Sequence, residues 1–407
     1  MKTEPNPLSA PLSLPCGAVL KNRIVKSAMS EIMGDRGRGP TPELFRLYHR
    51  WAQGGAGLLV TGNVMVDSRA LGEPNNVVIE DDRHMAALSQ WAERGKENGT
   101  HIWVQLNHPG RQSPAFLSPE PVAPSAIPYT SDLKRAFNTP RALSNAETLE
   151  IIDRFAKAAG TVKRAGFTGV QIHGAHGYLV SQFLSPLYNH RTDRWGGDIT
   201  GRMRFVLEIT RAIRREVGPE FPVGIKINSS DFKRNGFTEE EALVVIKALD
   251  EEGIDLVEVS GGNYEAPAMM GGRKKEGTPY FLAFADQAAR TVTAPLVLTG
   301  GFRTSEMMKT ALSETAVAMV GLARPLVVDP EFPSKALSGA SVTSTVRPLT
   351  TGIKFLDRIT MLEITWYENQ MRYLGMGQAP RPRENVYKTV WKTLSGMGTV
   401  AFKRRRA

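Results

Sequence analysis

Short apolar runs recur along this chain, and each is followed by a longer segment whose apolar positions repeat every three to four residues. Short runs bounded by Gly, Pro or polar residues are typical of buried strands, whereas the longer period indicates a helix with one face in the core. Eight such runs occur, at residues 22–29, 57–63, 101–108, from 170 onward, 222–228, 255–260, 295–300 and 316–321.

The intervening segments carry signals for the start of a helix. Thr41 stands before a proline at the first helical position, and Ser144 and Thr238 each precede a glutamate by three residues, which is the capping-box pattern. The positions predicted to face the core in the helix after Ser144 are Leu149, Ile152, Phe155, Ala156, Ala159 and Val162.

Strands that alternate with helices pair in parallel and are covered by helices, which is the α/β class. Eight strand–helix units match the (β/α)8 TIM barrel, and we predict one over residues 1–345. An open doubly wound sheet is the alternative, but no Gly-x-Gly-x-x-Gly fingerprint opens the chain.

Two stretches fall outside the repeat. Residues 109–143 are rich in proline and follow the third strand, so we predict an excursion that caps the barrel mouth. Residues 346–407 follow the eighth unit and are expected to form a helical tail that packs on the barrel or on a partner chain in a homo-oligomer. Its apolar positions Phe355, Ile359, Leu362, Ile364 and Tyr367 suggest an amphipathic helix.

Composition excludes several classes of protein. Cys16 is the only cysteine among 407 residues, so neither an internal disulfide nor a site built on several thiolates, such as an iron–sulfur cluster, can form. No apolar run approaches the roughly 20 residues of a membrane span, and the first residues lack the apolar core of a secretory signal. We therefore expect no membrane partner and a cytoplasmic location.

The formal net charge of +10 raises the question of nucleic acid as a partner. Nucleic-acid binding requires a basic stripe interleaved with aromatic residues, but here the basic residues are spread out and only 403–406 form a dense run. We expect no nucleic-acid partner; an anionic small ligand and a basic surface explain the charge.

In a TIM barrel the functional residues collect at the carboxyl ends of the strands. The fourth run ends in His173, His176 and Tyr178, the richest set of polar side chains at any strand end. The residues predicted at the other ends are Ser27, Ser30, Gly62, Gln105, His108, Lys226, Gly261, Gly262, Gly300, Gly301, Ala323 and Arg324.

Two of these groups have a direct chemical interpretation, each with an alternative. Gly300 and Gly301 with Ala323 and Arg324 form the phosphate site usual after strands seven and eight, although a glycine at a strand end is also a simple turn. Gln105 and Lys226 can bond the polar edge of a planar heterocycle. The alternatives are a lysine paired with a neighbouring carboxylate and a glutamine bonded to loop backbone.

The two histidines also allow more than one interpretation. His173 and His176 could ligate a metal, but spacing of three residues after a strand with no third ligand nearby argues against it, so we expect no metal. A buried histidine bonded to backbone is the other alternative.

The segment I-H-G-A-H-G-Y-L-V-S-Q-F-L-S-P-L-Y-N-H-R-T-D-R-W-G-G at 172–197 resembles the signature of the Old Yellow Enzyme family of FMN-dependent oxidoreductases. The resemblance covers roughly residues 8–335. It includes L-K-N-R-I-V-K-S-A-M-S, W-V-Q-L-N-H-P-G-R and V-G-L-A-R-P-L followed by D-P. The family fold is an FMN-binding (β/α)8 barrel.

The resemblance implies a role for each matching position. Ser27, Met29, Ser30 and Gly62 would line the flavin ring, Gln105 would bond its pyrimidine edge, and Lys226 would lie near N1 and O2. Gly300, Gly301, Ala323 and Arg324 would hold the phosphate, with Gly262 and His173 also at the cofactor. His173 and His176 would bind the substrate oxygen and Tyr178 would donate a proton.

The implied reaction is a ping-pong reduction of an activated alkene. NADH or NADPH reduces FMN, and the α,β-unsaturated carbonyl or nitro compound then takes a hydride at its β-carbon. The sequence departs from the family at three points. Lys226 replaces the arginine of many relatives, Ser30 stands where branches carry cysteine or threonine, and the tail lacks the aromatic-plus-arginine motif that completes a neighbour's site.

Three other functions remain to be weighed. A barrel-only homologue of 2,4-dienoyl-CoA reductase is open, whereas the iron–sulfur forms of that type are excluded by the single cysteine. An RNA-modifying flavoprotein of the dihydrouridine synthase kind needs a catalytic cysteine at the mouth, but Cys16 precedes the first strand. A non-redox aldolase or isomerase would use Lys226 as a Schiff base.

Overall fold

The computed structural model describes residues 6–130, 132–266 and 279–404. Eight parallel strands close into a barrel in chain order, which confirms the predicted (β/α)8 fold. The strands are β1 Ile24–Lys26, β2 Leu58–Met65, β3 His101–Asn107, β4 Gly169–Gly174, β5 Val223–Asn228, β6 Leu256–Ser260, β7 Leu296–Thr299 and β8 Met319–Leu322.

Helices follow each strand and cover the outside of the barrel. They are α1 Pro42–Gln53, α2 Met85–Lys96, α3 Asn145–Arg164, α4 Leu179–Leu184, α5 Ile199–Arg202, α6 Arg204–Val217, α7 Glu239–Glu251, α8 Leu282–Ala289, α9 Ser305–Glu314, α10 Arg324–Val328 and α11 Phe332–Leu337. None of the helices in the described ranges is long and apolar enough to cross a membrane.

Local signals set several helix starts as predicted. The hydroxyl of Ser144 accepts from the N–H of Glu147, whose carboxylate accepts from the N–H of Ser144, and Thr238 and Glu241 form the same box. Each cap contributes about 1 kcal/mol. The predicted core face of α3 was wrong at Leu149, which is exposed.

The barrel interior changes from apolar to polar along the strands. The lower layer packs the apolar side chains of Val25, Leu58, Val60, Trp103, Leu256, Val297 and Met319. Leu14 and Leu20 join this cluster from a hairpin in which Leu12–Ser13 pairs with Val19–Leu20. Towards the carboxyl ends the buried side chains become polar, at Ser27, Gln105, Gln171, Lys226 and Glu258. The apolar layer therefore supports a polar floor.

The excursion after β3 reaches the barrel mouth, as predicted. It contains a short parallel pair, Val122–Ala123 with Arg141–Ala142. The rings of Tyr129 and Phe137 lie 5.1 Å apart, and Phe137 lies 6.3 Å from Tyr264 in the loop after β6. The excursion thereby forms an aromatic wall with that loop.

The tail differs from the single amphipathic helix that its apolar spacing suggests. It forms α12 Lys354–Ile359, α13 Leu362–Gly375 and α14 Val386–Arg404. Met361 adopts a left-handed backbone (φ 47°) that separates the first two helices, and Phe355 is exposed. Helix α13 packs against α1 and α10, so this part of the tail covers its own barrel.

Candidate active site

The end of β4 brings its three chemical side chains together. The ring centroids of His173 and His176 lie 5.1 Å apart, and those of His173 and Tyr178 lie 4.7 Å apart, with the rings close to perpendicular. The chain turns between them because His176 adopts a left-handed backbone (φ 62°) and Gly177 does the same (φ 78°). Three residues predicted from the sequence thus form one cluster.

Both histidines are neutral at neutral pH. Burial, and then the charge of Lys226, lowers the pKa of His176 to about 3. Burial, His176 and Lys226 together hold the pKa of His173 well below its usual range. The Nδ1 atom of His173 accepts from the N–H of Ala175 at 3.3 Å, which leaves the proton of the neutral ring on Nε2.

His176 is held by β6 and β5. Its Nε2 lies 2.7 Å from the hydroxyl of Ser260, and its backbone N–H donates to the side-chain oxygen of Asn228 at 3.1 Å. When the hydroxyl of Ser260 donates to Nε2, the ring proton stands on Nδ1. Each histidine can therefore offer one N–H to an oxygen atom.

Tyr178 is a protonated acid in this setting. Its hydroxyl lies 3.0 Å from that of Tyr264, and the side-chain amide of Asn63 approaches it at 3.5 Å. Burial chiefly, then Tyr264 and the negative charge of Glu73, raises its pKa well above the ordinary value of 10. Burial and Glu73 raise the pKa of Tyr264 to about 12. Tyr264 was not predicted from the sequence, because its position depends on the path of the loop after β6.

Gln105 and Lys226 belong to one buried hydrogen-bonded network. Gln105 donates from Nε2 to Gln171 at 2.7 Å, and Gln171 donates to Glu258 at 2.8 Å. The ammonium of Lys226 lies 3.1 Å from the carboxylate of Glu258, so the paired-lysine alternative describes this residue. Gln105 bonds a side chain and not loop backbone. Gln171 and Glu258 were missed, although a polar residue inside an apolar run is a usable signal.

Hydroxyl groups continue this network towards β1. Thr299 donates to Glu258 at 2.7 Å and lies 2.9 Å from the hydroxyl of Ser27. Burial would raise the pKa of Glu258, but the charge of Lys226 and these hydrogen bonds outweigh it and lower the pKa. The floor of the mouth is therefore a buried ion pair whose carboxylate also accepts hydrogen bonds from Gln171 and Thr299.

The β1–β2 edge places Ser30 and Gly62 beside carboxylates. Ser30 donates its hydroxyl proton to Glu73, and the N–H of Gly62 donates to Glu31 at 2.9 Å. A Cβ at Gly62 would lie 2.4 Å from the carbonyl oxygen of Met29, so only glycine fits this position. Met29 is half-buried. These positions line one edge of the mouth, and Glu31 and Glu73 were not foreseen.

The ends of β7 and β8 form a second, cationic region. Gly300 and Gly301 have left-handed backbones (φ 102° and 90°), and a Cβ at Gly300 would meet no atom within 4 Å. Gly262, after β6, is also left-handed (φ 86°). Arg324 follows Ala323 at the start of α10.

Two residues beside Arg324 were not predicted. Its guanidinium lies 3.6 Å from the carboxylate of Glu363 on α13. Burial and then the charge of Arg324 lower the pKa of Arg303, so a second arginine stands within electrostatic reach of the first.

This arrangement fits flavin mononucleotide. The open space beside Gly300 and the two arginines suit a phosphate dianion. The polar floor with the Lys226 ammonium suits the pyrimidine edge of a flavin, and the histidine–tyrosine cluster of β4 stands beside that floor. Within the described ranges, no group of three or more His, Cys, Asp or Glu residues is placed to hold a metal ion.

Comparison with known proteins agrees with this geometry. A model of the NADH:flavin oxidoreductase / NADH oxidase family matches residues 7–342. The NADH-dependent flavin oxidoreductase iliE of Hypocrea jecorina (strain QM6a) is 39% identical over 358 residues, which cover 81% of this chain and 88% of that protein. Similar curated proteins include enzymes named for NADH and for NADPH.

Two solved structures show the same fold. The complex of 2-naphthoyl-CoA reductase with 2-naphthoyl-CoA matches with a TM-score of 0.78 and 26% identity over 84% of this chain. The match covers 54% of that chain, so the present chain spans about half its length. The old yellow enzyme homologue from Zymomonas mobilis matches with a TM-score of 0.71 and 26% identity, covering 85% of this chain and 97% of that chain.

Proposed function

This chain belongs to the NADH:flavin oxidoreductase / NADH oxidase family, among the Old Yellow Enzyme homologues, and we propose that it reduces the activated C=C bond of α,β-unsaturated carbonyl or nitro compounds. It is an FMN-dependent oxidoreductase whose hydride donor is NADH or NADPH. The family excludes the non-redox aldolase or isomerase considered above. The substrate class and the ping-pong order are the proposal.

The observation that carries the proposal is the cluster of His173, His176 and Tyr178. Two neutral imidazoles each have an N–H to offer, and a protonated phenol stands beside them. A carbonyl or nitro oxygen bound by both N–H groups becomes more electron-withdrawing, and the same contacts stabilise the negative charge that develops on it. A metal ion is not needed for this polarisation.

The roles at the cofactor follow from the positions of the side chains. The chemistry that FMN would supply when bound is hydride transfer from the reduced nicotinamide to the alkene. Lys226 and Gln105 would bond the pyrimidine edge, Ser27, Met29, Ser30 and Gly62 would line the ring, and Gly300, Gly301, Ala323 and Arg324 would hold the phosphate. The Lys226 ammonium would favour the reduced, anionic ring.

Tyr178 would supply the proton that the reduction of the alkene requires. The product gains one hydride at the β-carbon and one proton at the α-carbon, and Tyr178 supplies that proton from its hydroxyl. Tyr264, hydrogen-bonded to it, would return a proton to the phenolate. Because one mouth would serve both the nicotinamide and the alkene, the two bind in turn, which gives ping-pong kinetics.

The test uses the purified holoprotein under anaerobic conditions. We expect NADH or NADPH to bleach the flavin absorbance, and enones or nitroalkenes to restore it with formation of the saturated product. Double-reciprocal plots at several donor concentrations should be parallel. If oxygen or other acceptors reoxidise the flavin but none of the alkenes does, the proposed substrate class is wrong. The protein would still be an FMN-dependent oxidoreductase.

A further inference from the structure

We propose that Arg303 is a second phosphate-binding residue of the cofactor site, and that Glu363 of the tail is the counter-ion of Arg324 that the phosphate displaces. This rests on the proposed position of the FMN phosphate beside Gly300, Gly301 and Arg324. It adds two residues that neither the sequence pattern nor the family resemblance assigns.

The first argument is the topology of β7 and β8. These strands are neighbours, and Thr299 pairs in register with Gly321. Arg303 and Arg324 follow closely after those two positions, so both side chains start from the same edge of the barrel. Arg303 donates from Nη1 to the carbonyl of Phe302 at 3.0 Å. In the described part of the chain, no ion pair to a carboxylate involves Arg303, although the residue is half-buried.

The second argument is charge. Arginine side chains carry a positive charge in proteins. Burial, followed by the charge of Arg324, lowers the pKa of Arg303. Glu363, 3.6 Å from Arg324, is the carboxylate that faces them. Arg303 and Arg324 carry two positive charges in this partly buried region, and Glu363 carries one negative charge. A phosphate dianion that displaces Glu363 would balance both arginines. Arginine binds phosphate oxygens with two parallel N–H donors, which favours this ligand over a chloride ion.

The third argument is the placement of the tail. Helix α13 packs against α10, which begins at Arg324, and presents Glu363 and the buried Tyr367 to this region. The pKa of Tyr367 is raised by burial, an effect that the charges of Arg324 and Arg303 oppose. The tail therefore closes the phosphate region from outside, and its carboxylate competes with the ligand for Arg324.

The experiment compares two flavins that differ only in the phosphate. The full-length protein is stripped of FMN, and binding of FMN and of riboflavin is measured by quenching of flavin fluorescence. We expect Arg303→Gln to weaken FMN binding about 10- to 100-fold, the usual worth of a hydrogen-bonded charge, and to leave riboflavin binding unchanged. Arg303→Lys should lose less, because it keeps the charge without the fork.

Two further variants sharpen the result. Arg290→Gln removes an arginine that pairs with Asp286 on α8 and should change neither affinity. Glu363→Gln should tighten FMN binding several-fold, with riboflavin unaffected, because it removes the competing charge. Equal losses for FMN and riboflavin in Arg303→Gln would show a structural role and overturn the inference, and so would unchanged FMN binding. Weaker FMN binding in Glu363→Gln would overturn the counter-ion role. A wild-type protein that binds FMN no better than riboflavin would instead overturn the proposed phosphate site.

Discussion

The hydroxyl groups of Tyr178 and Tyr264 lie 3.0 Å apart, although one follows β4 and the other belongs to the loop after β6. Tyr178 is buried and Tyr264 is half-buried, and both phenols have raised pKa values, so both are protonated at neutral pH. One hydroxyl therefore donates to the other, and a proton lost by Tyr178 can be replaced through Tyr264. Variants of the two tyrosines should therefore separate protonation of the substrate, which uses Tyr178, from reprotonation of Tyr178, which uses Tyr264.

Tyr178→Phe should slow alkene reduction by about 10²- to 10⁴-fold, because the α-carbon loses its positioned acid. Reduction of the flavin by NADH or NADPH should change little, since that half-reaction needs no proton from this residue. Stopped-flow absorbance separates the two half-reactions. Tyr387→Phe, an exposed tyrosine of the tail, is the matched control. An unchanged rate with an enone would refute the role of Tyr178 as the acid.

Tyr264→Phe should have a different signature, because Tyr178 still holds the first proton. The first turnover of alkene reduction should keep its rate, and the steady-state rate should fall as reprotonation of Tyr178 becomes slower. A single-turnover experiment beside a steady-state assay checks this. A single-turnover loss as large as that of Tyr178→Phe would show that Tyr264 is needed to orient the acid and does not act as its proton source.

The low pKa of His176 predicts how stability depends on pH. The unfolded chain binds a proton at this histidine below about 6.5, whereas the folded protein does not until about 3. The free energy of unfolding therefore falls as pH decreases through this window, by up to about 1.4 kcal/mol per pH unit for one proton. His176→Asn should show a shallower decrease in urea denaturation between pH 6.5 and 4.5. The exposed His190→Asn serves as control, and parallel pH profiles for wild type and His176→Asn would contradict the prediction.

Lys226 and Glu258 form a buried pair 3.1 Å apart, and breaking it should affect stability and redox potential differently. Lys226→Met leaves a buried carboxylate without its cation, which costs about 3–5 kcal/mol. The double variant Lys226→Met with Glu258→Gln should recover much of this in urea denaturation. The midpoint potential of bound FMN should fall in both variants, because neither has a cation beside the ring. If the midpoint potential of the double variant returned to the wild-type value together with its stability, Lys226 would not lie beside the flavin.

Glu368, on α13, predicts a pH effect of opposite sign. Burial, with the charge of Glu73, raises its pKa to about 8, so the folded protein holds a proton that the unfolded chain releases near its ordinary value of 4.5. Wild-type stability should therefore decrease as pH rises from 4.5 to 8, and Glu368→Gln should lack this decrease. Thermal unfolding at pH 5 and pH 8.5 measures the difference, with the exposed Glu220→Gln as control. If wild type and Glu368→Gln differed in stability by the same amount at pH 5 and pH 8.5, the prediction would be wrong.

Much of the barrel was predictable because its signals are local. Strand runs, the capping boxes at Ser144 and Thr238, and the polar cluster after β4 depend on residues close in sequence. The residues that contact them were harder to predict from the sequence. Glu258 meets Lys226 only through the register of β5 and β6. Arg303 and Tyr264 depend on loop paths that no short-range pattern specifies.

The tail shows the same limit. Apolar spacing alone predicts a continuous helix, and the break occurs where Met361 takes a left-handed backbone. That break turns α13 back towards α1 and α10, which is how Glu363 and Glu368 come near the barrel mouth. A chain reversal of this kind is set by packing, and no glycine or proline near Met361 marks it in the sequence.

The left-handed backbone of His176 also limits how this site can diversify. Its N–H donates to Asn228 and its carbonyl accepts from Gln112, and these two hydrogen bonds hold the backbone in this conformation. Only Gly, Asn, Asp and His adopt this region readily, and a β-branched or bulky residue there is strained. A saturation library at position 176 should therefore return folded clones enriched in those four residues. Substitutions at position 176 that change substrate preference are therefore limited to a few residue types. Larger changes in substrate preference would require substitutions in the loops that face His176.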